Sequence, residues 1–175
     1  LANILVTGAS GSGTTTLGRA LSARLGVAFL DGDDYFWLPT DPPYREQRSA
    51  ADRLRLLLGD LRKSRSSVLS GCVANWGSEL EDSFSLIVFL SLDAAIRVAR
   101  LRERERLRFG RVDEEFIEWA AQYEEGRLPG RSRARHEKWL AERSCRVLRL
   151  DGDMTVEERV DRVVEALSDQ GRETP

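Results

Sequence analysis

Near the start of the chain, Gly8-Ala-Ser-Gly-Ser-Gly-Thr-Thr-Thr16 has the residue types and spacing to hold a phosphate. Gly8, Gly11 and Gly13 allow the backbone to turn successive N–H groups inward, and a helix that follows aims its positive end at the same point. The spacing is that of a phosphate-binding P-loop, with Thr14 in the lysine position. Thr15 falls where that motif places a hydroxyl on Mg²⁺, whereas Thr14 brings no cation to the β- and γ-phosphates. Gly8, Ser10, Gly11, Ser12, Gly13, Thr14, Thr15 and Thr16 are thus the candidate nucleotide-binding residues. The plain alternative is a mere Gly/Ser/Thr loop, but a strand before it and a helix after it argue for the motif.

A second constellation is Asp31-Gly-Asp-Asp34. In an extended segment Asp31 and Asp33 point to one side, toward the mouth of the P-loop, and Asp34 faces elsewhere. One carboxylate can then organise the Mg²⁺ shell while the other takes the proton of an attacking hydroxyl; without the P-loop the same residues would read as turn chemistry. Arg97, Arg100, Arg104, Arg108 and Arg111 recur at three- and four-residue steps along one expected helix face. Glu103–Arg106 and Glu105–Arg108 pairs, worth about 0.2–0.5 kcal/mol each, would make most of this a solvated face. Arg100, Arg104 and Arg108 are nevertheless candidates for the charge that Thr14 lacks, Arg100 on the nucleotide and the other two on the transferring group. Arg131, Arg133 and Arg135 form a second cluster, able to clamp an anion from a lid. Trp37 and Trp76 are candidates to line an acceptor pocket, with packing as the plainer role. His136 stands among charges and reads as a surface residue with no catalytic part; Cys72 reads as inert core.

These residues need elements to position them. Asn3–Thr7 is an apolar run fit for a buried strand, and Leu17, Ala20, Leu21 and Leu25 follow at helical spacing. Further strands are expected at Val27–Leu30, Ser67–Ser70, Leu86–Leu90 and Val147–Leu150, and residues 35–43 form a loop without periodicity. Helices are expected from about Glu46 to Lys63, from near Asp93 through the arginine stripe, around Phe116 to Tyr123, from Arg131 to Arg143, and after the Thr155/Glu158 capping box. Gly171 to Pro175 reads as a frayed tail. Strands alternating with helices predict an open, three-layer α/β fold with a five-stranded parallel sheet and ligands at the strands' carboxyl ends.

The chain of 175 residues is long enough for one domain that buries about two-thirds of its unfolded surface. Lys plus Arg is 27 against 29 for Asp plus Glu, a balance that gives no reason to expect nucleic acid or a membrane surface as partner. Lys63 and Lys138 are the only lysines, yet a bias toward arginine would not turn a P-loop lysine into threonine. Cys72 and Cys145 lack metal-ligand spacing and are too few for a disulfide framework. No apolar run approaches the ~20 residues of a membrane span, and Leu1-Ala2-Asn3 enters the first strand without a charged leader. A cytoplasmic protein, monomer or homodimer, is expected.

With these residues in view, the chain resembles the small P-loop kinases of the nucleoside monophosphate kinase superfamily, which includes shikimate, gluconate and adenylate kinases. Phe29-Leu-Asp-Gly-Asp-Asp34 is similar to the Asp-x-Asp segment of the shikimate and gluconate kinases, and Val68-Leu-Ser-Gly71 to their third strand. Leu150-Asp-Gly-Asp153 is similar to the loop that backs adenine, and Arg100-Leu-Arg-Glu-Arg104 to the lid-entry arginines. Asp-Asp-Tyr-Phe-Trp37 followed by Pro39-Thr-Asp-Pro-Pro43 resembles a bacterial group described only as adenylate kinase-like. The resemblance implies a P-loop NTPase fold with a helical lid, ATP and Mg²⁺ as cofactors, and transfer of the γ-phosphate to a small-molecule hydroxyl. It places the acceptor among residues of about 33–66, with Asp33, Asp34, Trp37, Arg45 and Trp76 as contacts, and a lid at about 102–135. Catalytic roles fall on Asp33, Arg104 and Arg108, and metal contacts on Thr15 and Asp31. The alternatives are a nucleoside monophosphate kinase, with Arg45 and Arg48 against an acceptor phosphate, and a nucleotide-binding protein of weak catalysis, which Thr14 favours. A hydrolase would need a water-positioning group that nothing singles out.

Overall fold

The computed structural model describes residues 3–170. Its centre is a five-stranded sheet in the order β2-β3-β1-β4-β5, parallel throughout. The strands are β1 (Asn3–Gly8), β2 (Ala28–Asp31), β3 (Ser67–Ser70), β4 (Phe84–Ser91) and β5 (Arg146–Asp151). Side-chain alternation divides the core into two layers. Leu5, Leu69, Ile87 and Phe89 face one side, against Leu57 and Leu61 of α3 (Ala50–Lys63), Leu80 of α4 (Ser78–Glu81) and Trp139 of α7 (Arg133–Ala141). Ile4, Val6, Val68 and Val88 face the other, against Leu17 and Leu21 of α1 (Thr14–Leu25) and Val160 and Val163 of α8 (Val156–Gln170). Covering both faces is what allows the apolar runs Ile4–Val6, Val68–Leu69 and Leu86–Leu90 within β1, β3 and β4. A separate small cluster, Leu101 with Ile117 and Ala120, joins α5 (Ala94–Phe109) to α6 (Glu114–Ala121).

The three-layer parallel α/β arrangement is the expected one; several element boundaries differ for local reasons. Residues 32–36 are not loop but a short helix, α2 (Gly32–Phe36), because the Asp31 side chain accepts the Asp33 N–H and caps it. The helix expected from Glu46 starts at Ala50, where Ser49 accepts the Asp52 N–H; the residues before it instead pair Trp37 with Gln47 in an antiparallel bridge. The arginine stripe stops short of Arg111, since Gly110, at φ 70°, ends α5 in the left-handed conformation. Ser132 caps α7 and sets its start at Arg133, and Tyr123 lies beyond the end of α6. The Thr155/Glu158 capping box is present: Glu158 Oε2 accepts the Thr155 N–H at 2.8 Å, and Thr155 Oγ1 accepts the Glu158 N–H at 3.2 Å. The expected frayed tail at Gly171 to Pro175 lies outside the described residues.

Leu57 is fully buried and Leu107 is 77% exposed, which separates core from surface on two helices. Leu57→Ala should lower unfolding stability by about 2–5 kcal/mol and Leu107→Ala by less than about 0.5 kcal/mol, read from urea denaturation midpoints.

Candidate functional site

The loop between β1 and α1 is shaped from behind. Ala9 O accepts both the Ser12 N–H (3.1 Å) and the Ser12 hydroxyl (2.7 Å), which tightens the turn. Gly11 and Gly13 take φ values of 83° and 95°, which residues other than glycine rarely adopt. A Cβ on Gly11 would also sit 2.7 Å from Arg97 O. Two carbonyls of the loop receive guanidinium groups: Arg97 Nη1 donates to Ser10 O at 3.1 Å, and Arg159 Nη1 to Ser12 O at 2.9 Å. Helix α1 has no side-chain cap, so the unpaired N–H groups of its first turn and the positive end of its dipole stand at the loop. That combination binds anions.

Beside it stands the acidic turn. Asp31 Oδ2 accepts the Thr15 hydroxyl at 3.4 Å while its Oδ1 accepts the Asp33 N–H at 3.2 Å. Asp31 is extended as expected, but the helix begins at Gly32 and so takes in Asp33 and Asp34, which removes the expectation that Asp34 turns elsewhere: Asp31, Asp33 and Asp34 all line one cleft. Burial raises the Asp31 pKa above its ordinary value; the Asp33 N–H opposes this, and the charges of Asp33 and Asp34 add to the rise. A divalent cation would relieve that crowding. The oxygens of Thr15 and Asp31 are of the hard kind that Mg²⁺ prefers, and one or two protein ligands suit an ion that keeps several waters. Among the described residues no group of three or more His, Cys, Asp or Glu is placed to hold a metal alone, so water or phosphate oxygens would have to complete such a shell.

The cleft, about 1760 Å³, runs from the loop past α2 to α5 and α6. Of the residues expected at the site, Gly8 and Ser12 stand behind it; Ser12 is fully buried, its hydroxyl engaged within the turn. Apart from Arg48 and Arg133, the others line it, Thr14 among them. Arg100 pairs with Asp153 at 2.6 Å, Arg104 lies 3.6 Å from Glu105, and Arg108 stacks over Tyr44 and Phe109. Glu103 pairs with Arg106 as expected, whereas Glu105 meets Arg104 in place of Arg108. Trp76 is buried and stacks on Phe36 at 6.2 Å, and Trp37 meets Phe36 and Tyr44 edge-on. Arg53 lies over both Phe36 and Trp76. Arg45 lines the cleft; Arg48 is spent on the carbonyls of Tyr35 and Trp37. Arg131 and Arg135 reach the cleft, while Arg133 is held by Ser91 and Glu137 away from it.

Three residues depart further from expectation. Arg97 is not on a solvated stripe but 0% exposed; its guanidinium donates to Leu92 O, Ser10 O and Ala120 O and pairs with Glu124 at 2.7 Å. His136 is not at the surface: it is 2% exposed, with the Tyr123 hydroxyl 2.7 Å from Nδ1 and Cys72 Sγ 3.2 Å from Nε2. Arg159, which no local motif marks, is 4% exposed. Its signal was its place four residues before Val163, on the apolar face of α8, just as His136 precedes Trp139 and Leu140.

Comparison with known proteins agrees with this fold. The family described as AAA domain matches residues 4–118. The uncharacterized protein YqaC of Bacillus subtilis is 43% identical over 176 residues, covering 95% of this chain and 97% of that protein. A shikimate kinase from Acinetobacter baumannii, solved in complex with shikimate, superposes with a TM-score of 0.61 at 15% identity, covering 100% of this chain and 96% of that one. A gluconokinase from Sinorhizobium meliloti gives 0.52 at 22% identity, covering 97% of both chains. At these identities the two structures show a shared fold.

Burial, with Arg131 nearby, pushes the His136 pKa down to about 4 from 6.5. Between those values the unfolded chain holds a proton that the folded chain does not, so stability rises with pH there. The contribution is complete above pH 6.5 and is lost as pH falls toward 4. Taking wild type from pH 7 to 4.5 should therefore cost about 2–3 kcal/mol through this group. His136→Gln should flatten that part of the pH–stability curve, as measured by chemical denaturation at both pH values.

Proposed function

The chain belongs to the AAA domain family of P-loop proteins, and from that premise we propose that it transfers the γ-phosphate of ATP to a hydroxyl of a small molecule. The observation that carries the reading is the contact between the Thr15 hydroxyl and the Asp31 carboxylate, which joins the phosphate loop to the acidic turn inside one cleft. The triphosphate lies on the loop N–H groups and the first turn of α1. Thr15 and Asp31 would hold Mg²⁺, which when bound supplies charge to the phosphate oxygens. Asp33 takes the acceptor's proton as its oxygen attacks the γ-phosphorus and ADP departs. Arg104 and Arg108, swung from their resting contacts, stabilise the charge on the transferring group, and Arg100 lies along the nucleotide. Residues of about 33–66 surround the acceptor, with Asp34, Trp37, Arg45 and Trp76 in contact, and residues of about 102–135 close over it.

A hydroxyl acceptor that is not itself a nucleotide is favoured over a nucleoside monophosphate. The second reading wants Arg45 and Arg48 free for an acceptor phosphate, and Arg48 is already committed to two backbone carbonyls. Thr14 supports binding with weak turnover as the other reading, and the same experiments separate it.

Titration calorimetry with ATP and with GTP, Mg²⁺ present, should show micromolar ATP binding. ADP release should rise with one or more members of a panel of hydroxylated metabolites. Asp33→Asn should cut acceptor-stimulated turnover by about 10²–10⁴-fold while leaving ATP affinity nearly unchanged. Binding without any stimulated release would leave a nucleotide-binding protein, and no binding of either nucleotide would defeat the proposal.

A further inference from the structure

A phosphate loop without its lysine still has to meet a highly charged anion. Several guanidinium groups surround this one. Arg97 pairs with Glu124 at 2.7 Å, Arg100 with Asp153 at 2.6 Å, and Arg104 lies 3.6 Å from Glu105, whereas Arg108, Arg131 and Arg135 stand on the open cleft side, Arg131 within 3.5 Å of the Ser10 hydroxyl. Arg159 differs. It is held by two neutral carbonyls, Ser12 O at 2.9 Å and Gly152 O at 3.0 Å, and its Nε is buried without a hydrogen-bond partner. Among the described residues no carboxylate forms an ion pair with it. Its position is also close: a Cβ built on Gly13 would lie 3.1 Å from Arg159 Nη1.

We propose that Arg159 supplies the cation of this phosphate site from behind the loop, through the peptide that joins Ser12 to Gly13. A trans peptide sets C=O and N–H on opposite sides. Fastening Ser12 O to Arg159 therefore aims the Gly13 N–H away from α8, toward the cleft that Gly13 lines. Arg97 fixes the Ser10–Gly11 peptide in the same sense, although Glu124 cancels its charge. The guanidinium polarises the peptide it grips, and its own field acts across a short, water-poor path where screening is weak. A lysine at position 14 would instead reach round the front of the phosphates. Arg159 touches no ligand and is a positioning residue. Its charge favours the whole phosphate chain and not the transferring group in particular.

The inference rests on nucleotide binding as proposed above, so wild type is titrated with MgATP and MgGTP first. Silence with both defeats that reading, and this inference with it, before any variant is made. Given binding, Arg159→Gln keeps an amide donor for Ser12 O and removes the charge, and should weaken MgATP about tenfold or more. Arg159→Lys keeps the charge and should stay within about threefold of wild type. Adding Thr14→Lys to Arg159→Gln should recover most of the loss, because a charge in front replaces the charge behind. Thr14→Lys alone should raise affinity by less than about threefold, since the site is not short of charge; this variant keeps the argument testable if Arg159→Gln does not fold. Wild-type affinity in folded Arg159→Gln, equal weakness in the Gln and Lys variants without recovery by Thr14→Lys, or a gain of about a hundredfold from Thr14→Lys alone would each overturn the inference.

Discussion

Everything at the mouth of the sheet leans on one buried guanidinium. Arg97 sits at 0% exposure where β4 passes into α5, and donates to carbonyls from three different places: Leu92 beside the strand, Ser10 in the phosphate loop and Ala120 in α6. A charge so placed is expensive unless every direction is answered, and Glu124 answers the last of them. Loop, strand end and α6 are thereby fixed to a common point. The loop's shape is thus a property of the tertiary structure as much as of its glycines.

The second consequence concerns how a chain with only two lysines handles anions. Arginine is planar, always charged and presents its donors in a fixed fork, which suits it to carbonyls and carboxylates within the protein as much as to ligands. Here that versatility is divided. Arg48, Arg97 and Arg159 are turned inward on backbone carbonyls, whereas Arg45, Arg108 and Arg131 face the cleft. Counting basic residues by sequence position cannot separate the two groups. Burial and partner do.

What the sequence disclosed follows the same division. Short apolar runs in β1, β3 and β4 told strand from helix, and the glycine spacing located the loop, because both signals are local. The Asp31–Asp34 turn was found as a cluster but given the wrong geometry, since nothing local distinguishes two extended carboxylates from a capped helical turn until the Asp31 side chain closes on the Asp33 N–H. His136 was read by its charged neighbours and Arg159 was not singled out, whereas their helical registers with Trp139 and Val163 decide their positions. Contacts across 64 and 147 residues, His136 to Cys72 and Arg159 to Ser12, have no sequence signature at all.

Gly152 and Asp153, just past β5, are gripped from two sides, by Arg159 and by Arg100. The stretch between α2 and α3 is tied mostly to itself, by Leu38 N–H to Glu46 O, Arg48 N–H to Phe36 O and the Arg48 side chain on the Tyr35 and Trp37 carbonyls, with Tyr44 beneath Arg108 as its contact across the cleft. The two walls of the cleft therefore differ in evolvability. Lengthening or rewriting the turn after β5 would disturb the phosphate loop through Arg159, so that wall is constrained to drift slowly. Residues 38–47 can change in length and composition at little cost to the fold, and it is there that lineages of this protein are free to diverge in what they admit.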